Sequence, residues 1–207
     1  MPQVSAGPES SKNPPLDPTI ALVALGSNRA SREGTPAQAV LAAIAALGRR
    51  VGVIRAQSPL YRTPAFPPGS GTDFVNAVVS LETTLAPGAV IAALHEIEEG
   101  MGRTRQERWA ARTLDLDLLA MDDMLLPDPQ THAAWRSLPL ADQMARAPEQ
   151  LILPHPRLHE RAFVLVPLVD VAADWVHPAL GLTARQLCEA LPAHALSGVT
   201  PLPDAAA

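Results

Sequence analysis

Apolar positions recur along this chain with two periods, and the switches between them predict most of its elements. The run TIALVALGSN (19–28) is continuous and apolar and closes on Gly26-Ser27-Asn28, which predicts a buried strand and then a turn. In TPAQAVLAAIAALGRR (35–50) the spacing changes to helical. Thr35 is the N-cap candidate, Pro36 fits the first helical position, Val40, Ile44 and Leu47 share a face, and Gly48 reads as the stop. VGVIRAQSPLYRT (51–63) reads as one strand, and PAFPPGSGT (64–72) as a loop dense in Pro and Gly. DFVNAVVSLET (73–83) alternates: Phe74, Asn76, Val78 and Ser80 point one way, Val75, Ala77, Val79 and Leu81 the other. APGAVIAALHEIEEGMG (86–102) is helical, with Val90, Ile91, Leu94, Ile97 and Met101 on one face. RTRQERWAAR (103–112) is polar and irregular, and TLDLDLLAM (113–121) is the next strand.

The resulting order, β-α-β-β-α-β, is that of a ferredoxin-like α+β core. Beyond it, 124–150 mixes Pro with polar residues around one short helix. Residues 151–175 read as a loop and a helix, and TARQLCEAL (183–191) as a further helix. These C-terminal helices leave a three-layer α/β/α arrangement open. The division predicted is a disordered tail over 1–18, one domain over 19–195 with an insertion at 124–150, and a loose tail over 196–207.

Composition narrows the function. A net charge of −5 and 3% aromatic residues argue against a general nucleic-acid binder. No apolar run approaches a membrane span, and the N-terminal residues lack the pattern of a secretion signal, so a cytoplasmic protein is expected. Cys188 is the one cysteine, which rules out an internal disulfide and suits a reducing compartment. Its place in a helical apolar pattern points to the core. Lys12 is the one lysine, and it lies in the tail. Anion binding by the folded part must therefore use Arg, His, backbone N–H groups or a metal.

RTLDLDLLA (112–120) stands out against this background. On a strand Leu114, Leu116 and Leu118 share the core side, so Asp115 and Asp117 project together from the other. Two carboxylates so close repel unless a cation lies between them. A plain Arg–Asp network would serve, but Arg103, Arg105, Arg108 and Arg112 outnumber what two carboxylates need. A pair of carboxylates holding Mg²⁺ with surplus guanidiniums around it suits a polyphosphate. Phosphoryl-type transfer asks mainly for such positioning and charge neutralisation.

Other residues carry two readings each. Phe74 and Asn76 form either a flat-ring site, an aromatic face beside an amide, or a core Phe with a rim Asn. His155 and His159 have the i, i+4 spacing of metal ligands on a helix, but Pro156 interrupts that helix. Trp109 either stacks on a base or covers its loop.

Taken together, ALGSN (24–28), SPLYRTPAF (58–66), DFVNAVVSLET (73–83), GRTRQERWAARTLDLDLL (102–119) and LPHPRLHERAFVLVPL (153–168) resemble the 6-hydroxymethyl-7,8-dihydropterin pyrophosphokinase family of folate biosynthesis, over roughly 20–190. The resemblance implies transfer of pyrophosphate from ATP to the pterin hydroxymethyl group, giving AMP. It implies that Asp115 and Asp117 hold two Mg²⁺ ions and that Arg103, Arg112 and Arg161 clamp charge. Arg103, Arg112, Asp115 and Asp117 are its catalytic set. It assigns Arg105, Arg108, Trp109 and His155 to ATP as well, and Glu98 and Leu118 to the neighbourhood of adenine. Thr63, Pro64, Phe66, Phe74, Asn76 and Phe163 fall to the pterin, the ring lying between Phe74 and Phe163. Loops at 62–72 and 103–113 are expected to close over the substrates, and no obligate protein partner is implied. The chain departs from the family pattern at Ala110-Ala111, where Gly-Pro is usual, and in the length of 124–150. A Mg²⁺-dependent phosphohydrolase fits the acidic strand but needs no ring pocket. A ferredoxin-like RNA-binding module predicts a basic, aromatic sheet face, which this composition lacks.

Overall fold

The computed structural model describes residues 17–65, 71–102, 113–139, 142 and 146–203. Strand β1 (Thr19–Ser27) is the centre of an antiparallel sheet, paired with β4 (Phe74–Thr83) on one side and β5 (Asp115–Met121) on the other. β2 (Val53–Gln57) and β3 (Tyr61–Thr63) lie in succession along the far side of β4. Helices α1 (Pro36–Arg50) and α2 (Pro87–Gly100) cover one face through Val40, Ile44, Leu47, Val90, Leu94 and Ile97. The face's own contribution is Val23, Leu25, Val79, Leu81, Leu116 and Leu118. Helices α4 (Ala162–Ala172) and α5 (Ala184–Glu189) cover the other, where Leu158, Val164, Leu165, Leu168 and Leu187 meet Leu22, Val78 and Ala120. The expected βαββαβ core is present, and the C-terminal helices complete a third layer.

Local chemistry explains the boundaries. Thr35 and Gln38 form a reciprocal capping box at the start of α1, with Pro36 just inside it. The helix does not stop at Gly48, as its sequence suggested, but runs to Arg50. The chain reverses at Gly52, where a Cβ would lie 2.0 Å from the Glu82 carbonyl oxygen, so no side chain fits the turn against β4. The single strand expected over 51–63 divides at Ser58-Pro59. Pro59 has no N–H to donate, and the Ser58 hydroxyl instead accepts from Val78 N–H at 3.0 Å. The turn expected at Gly26-Ser27 is strand: β1 keeps its pairing with β4 through Ser27.

The 124–150 segment holds α3 (Pro129–Arg136), capped by the Asp128 carboxylate on Thr131 N–H at 2.9 Å. It is tied to the body by a two-way backbone bridge between Leu126 and Leu153. The end of the chain is not loose throughout. After the short helix α6 (Ala193–Leu196), Thr200–Pro201 form β6 on the outer edge of β3, and Leu202 N–H donates to Leu60 at 2.7 Å.

Candidate active site

The register sets the site. Gly26 of β1 lies opposite Asn76 of β4 on one side and Asp115 of β5 on the other. Ala24 lies in the same way between Val78 and Asp117. Asp115 and Asp117 therefore emerge on the α4 side of the sheet, opposite two small residues of the central strand, Gly26 and Ala24. Leu114, Leu116 and Leu118 are buried at 5% exposure or less, as the alternation required. A bulge separates this acidic stretch from the rest of β5: Val23 pairs with Leu118 but Leu22 with Ala120, leaving Leu119 as the extra residue. The Leu119 carbonyl accepts the His155 backbone N–H at 2.7 Å, which brings the 153–161 segment to the acidic strand.

Arg161 arrives on that segment as the N-cap of α4. Its Nη1 stands 3.9 Å from Asp117 Oδ2, an attraction across a gap and not a closed ion pair. His155 is half-buried. Its Nδ1 accepts the Arg157 backbone N–H at 3.1 Å, so the ring proton resides on Nε2. Burial, followed by the charges of Arg161 and Arg157, pushes its pKa down to about 3, so at neutral pH the ring is an uncharged donor. Glu98 is 1% exposed, and its Oε1 accepts the Leu116 N–H at 2.8 Å, which satisfies the outer edge of β5 from α2. Leu118 points into the core beneath.

The other half of the row gathers Asn76, Thr63 and Phe74 beside Gly26. Asn76 and Thr63 are buried, and Asn76 Nδ2 donates to Thr63 Oγ1 at 2.6 Å. Phe74 pairs across the strands with Thr63. Gly26 keeps the floor open, since a Cβ there would lie 2.9 Å from Asn76 Oδ1 and 3.8 Å from Phe74 Cδ1. Phe163, on the first turn of α4, is 37% exposed, with the Arg161 guanidinium 5.7 Å from its ring centre. Pro64 is exposed at the rim, against the position of Gly198.

Sequence reasoning missed what Gly26-Ser27-Asn28 does. Ser27 Oγ donates to the Thr113 carbonyl at 2.7 Å, fixing the start of β5. Asn28 Nδ2 donates to the Thr72 carbonyl at 3.2 Å, and Thr72 Oγ1 returns a hydrogen bond to the Asn28 carbonyl at 2.6 Å. The end of β1 thus holds the outgoing ends of both loops expected to close. A small-polar-polar triplet ending a buried strand was the available signal. Phe66, Arg103, Arg105, Arg108, Trp109 and Arg112 lie outside the described residues. The helical His155–His159 spacing does not form: Leu158–Glu160 is a 3₁₀ turn and His155 precedes it.

The donor set is informative about ions. Among the described residues no group of three or more His, Cys, Asp or Glu side chains is arranged to cage one. What β5 offers is a pair of carboxylates, Asp117 being 40% exposed at its side chain. That fits Mg²⁺, which keeps several waters and takes phosphate oxygens beside one or two carboxylates, and does not fit a closed structural zinc site.

The layered fold has close parallels among solved structures. Wild-type HPPK-DHPS of Plasmodium falciparum superposes with a TM-score of 0.58 at 17% identity, over 84% of this chain and 44% of that one. A triple mutant of that protein gives 0.62 over 87% and 45%. This chain spans less than half the length of those proteins, and at that identity the likeness is one of fold. The sequence carries the assignment further. The family described as 7,8-dihydro-6-hydroxymethylpterin-pyrophosphokinase (HPPK) matches residues 22–173. Proteins named 2-amino-4-hydroxy-6-hydroxymethyldihydropteridine pyrophosphokinase are 36% identical in Synechocystis, over 87% of this chain and 80% of theirs, and 38% identical in Pseudomonas aeruginosa, over 88% and 96%. The chain belongs to the HPPK family.

Proposed function

We propose that this chain transfers the pyrophosphoryl group of ATP to 6-hydroxymethyl-7,8-dihydropterin, a step of folate biosynthesis. The hydroxymethyl oxygen bonds to the β-phosphorus, the bond from the α-phosphate's bridging oxygen breaks, AMP leaves, and the hydroxyl proton is lost to solvent. The observation that supports this reading is the row Asn76–Gly26–Asp115, which sets the residues we assign to the pterin ring beside the acidic strand on three paired strands. A hydrolase has no use for the first half of that row.

Asp115 and Asp117 would hold two Mg²⁺ ions, which when bound neutralise charge on the triphosphate. Arg161 offers a planar two-point contact to phosphate from the N-terminus of α4, where the helix dipole also favours an anion. His155 donates from Nε2 without adding charge. Arg103 and Arg112 complete the catalytic set, with Arg105, Arg108 and Trp109 closing on ATP from the same segment. Glu98 and Leu118 shape the adenine side. Thr63 and Asn76 read the pterin edge, Phe74 and Phe163 stack on its faces, and Pro64 and Phe66 complete its rim. One pyrophosphokinase domain over 19–195, working in the cytoplasm without an obligate partner, is the arrangement we favour; no described helix is long and apolar enough to cross a membrane. Incubation with ATP, Mg²⁺ and the pterin alcohol should yield AMP and the pterin diphosphate in equal amounts. ADP or inorganic phosphate as the nucleotide-derived product would refute this reading.

A further inference from the structure

Three histidines outside the site above converge in the interior. His132 comes from α3 and His177 from the connection between α4 and α5, and each is 0% exposed. Their rings meet edge-on at 5.8 Å, and Trp175 lies 5.6 Å from His177. His159, on the 3₁₀ turn, completes the group. Nδ1 of His132, Nδ1 of His159, Nε2 of His177 and Nη1 of Arg136 are all buried without a partner among the described residues.

The hydrogen bonds that are made fix two of the tautomers. His132 Nε2 lies 3.0 Å from the Pro154 carbonyl, which only accepts, so this nitrogen carries a proton. His177 Nδ1 accepts the Ala179 N–H at 3.2 Å, so its proton is on Nε2. The second bond leaves no room for another proton on His177, and the burial of His132 disfavours one there. A second proton on His132 would face Arg136 on α3, one on His177 would face Arg136 and the other two rings, and one on His159 would face Arg136, His132 and Arg157, with Glu160 opposing them. Burial holds all three pKa values below the ordinary 6.5.

The consequence lies in the chain order. Leu153 is bridged to Leu126, the Pro154 carbonyl is held by His132, and the His155 N–H is held by Leu119 of β5. Arg161 follows six residues after His155. The segment that presents His155 and Arg161 is thus fixed on one side by the acidic strand and on the other by α3.

We propose that His132 is a positioning residue for the nucleotide side of the site, its neutral ring using α3 to hold the 153–161 segment at the spacing from Asp115 and Asp117 that a metal-bound triphosphate requires. This rests on the pyrophosphokinase reading, and it gives the long 124–150 segment a task.

The test uses the full chain, with AMP formation by the wild type measured first; its absence refutes the pyrophosphokinase reading itself. His132→Phe should raise KM for Mg-ATP about tenfold, the scale of one buried hydrogen bond, and leave pterin KM within about twofold. His132→Gln, whose amide N–H can reach the same carbonyl, should recover most of that loss. Equal changes in both KM values, or none in a folded His132→Phe protein, overturn the proposal. If His132→Phe does not fold, His132→Asn, whose shorter amide falls short of the Pro154 carbonyl, is compared with His132→Gln. The Asn variant should show the raised KM for Mg-ATP and the Gln variant a value near that of the wild type. Equal KM values in the two variants overturn it.

Discussion

Gly26 is the residue whose substitution tests the site geometry most sharply. An ideal Cβ there stands 2.9 Å from Asn76 Oδ1, closer than real Cβ contacts allow, and 3.8 Å from Phe74 Cδ1; no other described atom beyond its chain neighbours comes within 4 Å. The backbone is pinned by ladders on both sides, so the amide of Asn76 must give way. That amide is buried and donates at 2.6 Å to Thr63, itself 5% exposed. Losing a buried hydrogen bond with its donor left unpaired costs about 1–3 kcal/mol. If the same amide reads the pterin edge, affinity should fall about 5- to 150-fold, with Gly26→Ala near the low end and Gly26→Val near the high end. The assay is calorimetric titration of the pterin in the presence of a non-hydrolysable ATP analogue, with titration of the analogue alone as control. Analogue affinity should hold within about twofold, since the added Cβ does not approach Asp115. A double-mutant cycle with Asn76→Ala should be strongly non-additive, because the second change removes the atom that the new methyl strikes. Wild-type pterin affinity in a folded Gly26→Ala protein, or equal losses for both ligands, would refute the geometry.

Asp117→Ala should leave the urea midpoint nearly unchanged, because the side chain is half-exposed, and remove most AMP formation; near-normal turnover at saturating Mg²⁺ would make the carboxylate structural. Phe163→Ala should weaken pterin binding by about 1–3 kcal/mol and spare the ATP analogue, measured by the same titrations, since an exposed ring on α4 has a stacking role and little core to lose. His177, with its pKa pushed down to about 4 chiefly by burial, is neutral in the fold and protonates near 6.5 when unfolded. Its contribution to stability is therefore complete above about pH 6.5 and is lost as pH falls toward 4, about 2 kcal/mol of it by pH 5. Urea midpoints at pH 7.5 and 5 should show that loss, and a flat profile would contradict the burial argument.

What the sequence disclosed follows from how each signal is encoded. Period-two alternation in TLDLDLLAM located the acidic face without any tertiary knowledge, because the side of a strand is a local property. The capping box at Thr35 was equally local. The helix end was not. Gly48 reads as the stop on sequence, yet the chain turns at Gly52, where the Glu82 carbonyl, thirty residues later, occupies the space a side chain would need. The division of the second strand likewise depends on Ser58 meeting Val78. The terminal segment gives no periodicity to read, and Thr200–Pro201 become strand because β3 offers an unpaired edge.

The same distinction runs through the site. Asp115, Asp117, Asn76 and Phe74 announce themselves as polar or aromatic residues at strand spacing. Gly26 carries no functional group, and its importance exists only once β1 is seated between β4 and β5. Ser27 and Asn28 look like a turn because Ser and Asn usually make turns by bonding their own backbone. Here their side chains reach Thr113 and Thr72, 86 and 44 residues away, and the strand runs on through Ser27. A residue that works by bonding to another part of the chain is indistinguishable in sequence from one that bonds to itself. The His132–His159–His177 group is the extreme of this: three histidines spread over 46 positions, none in a recognisable motif, that meet because α3 folds back onto the segment carrying Arg161. Function in this chain is thus written twice, locally in the groups that would touch substrate and non-locally in the contacts that hold them at the right spacing. Only the first of these can be read along the sequence.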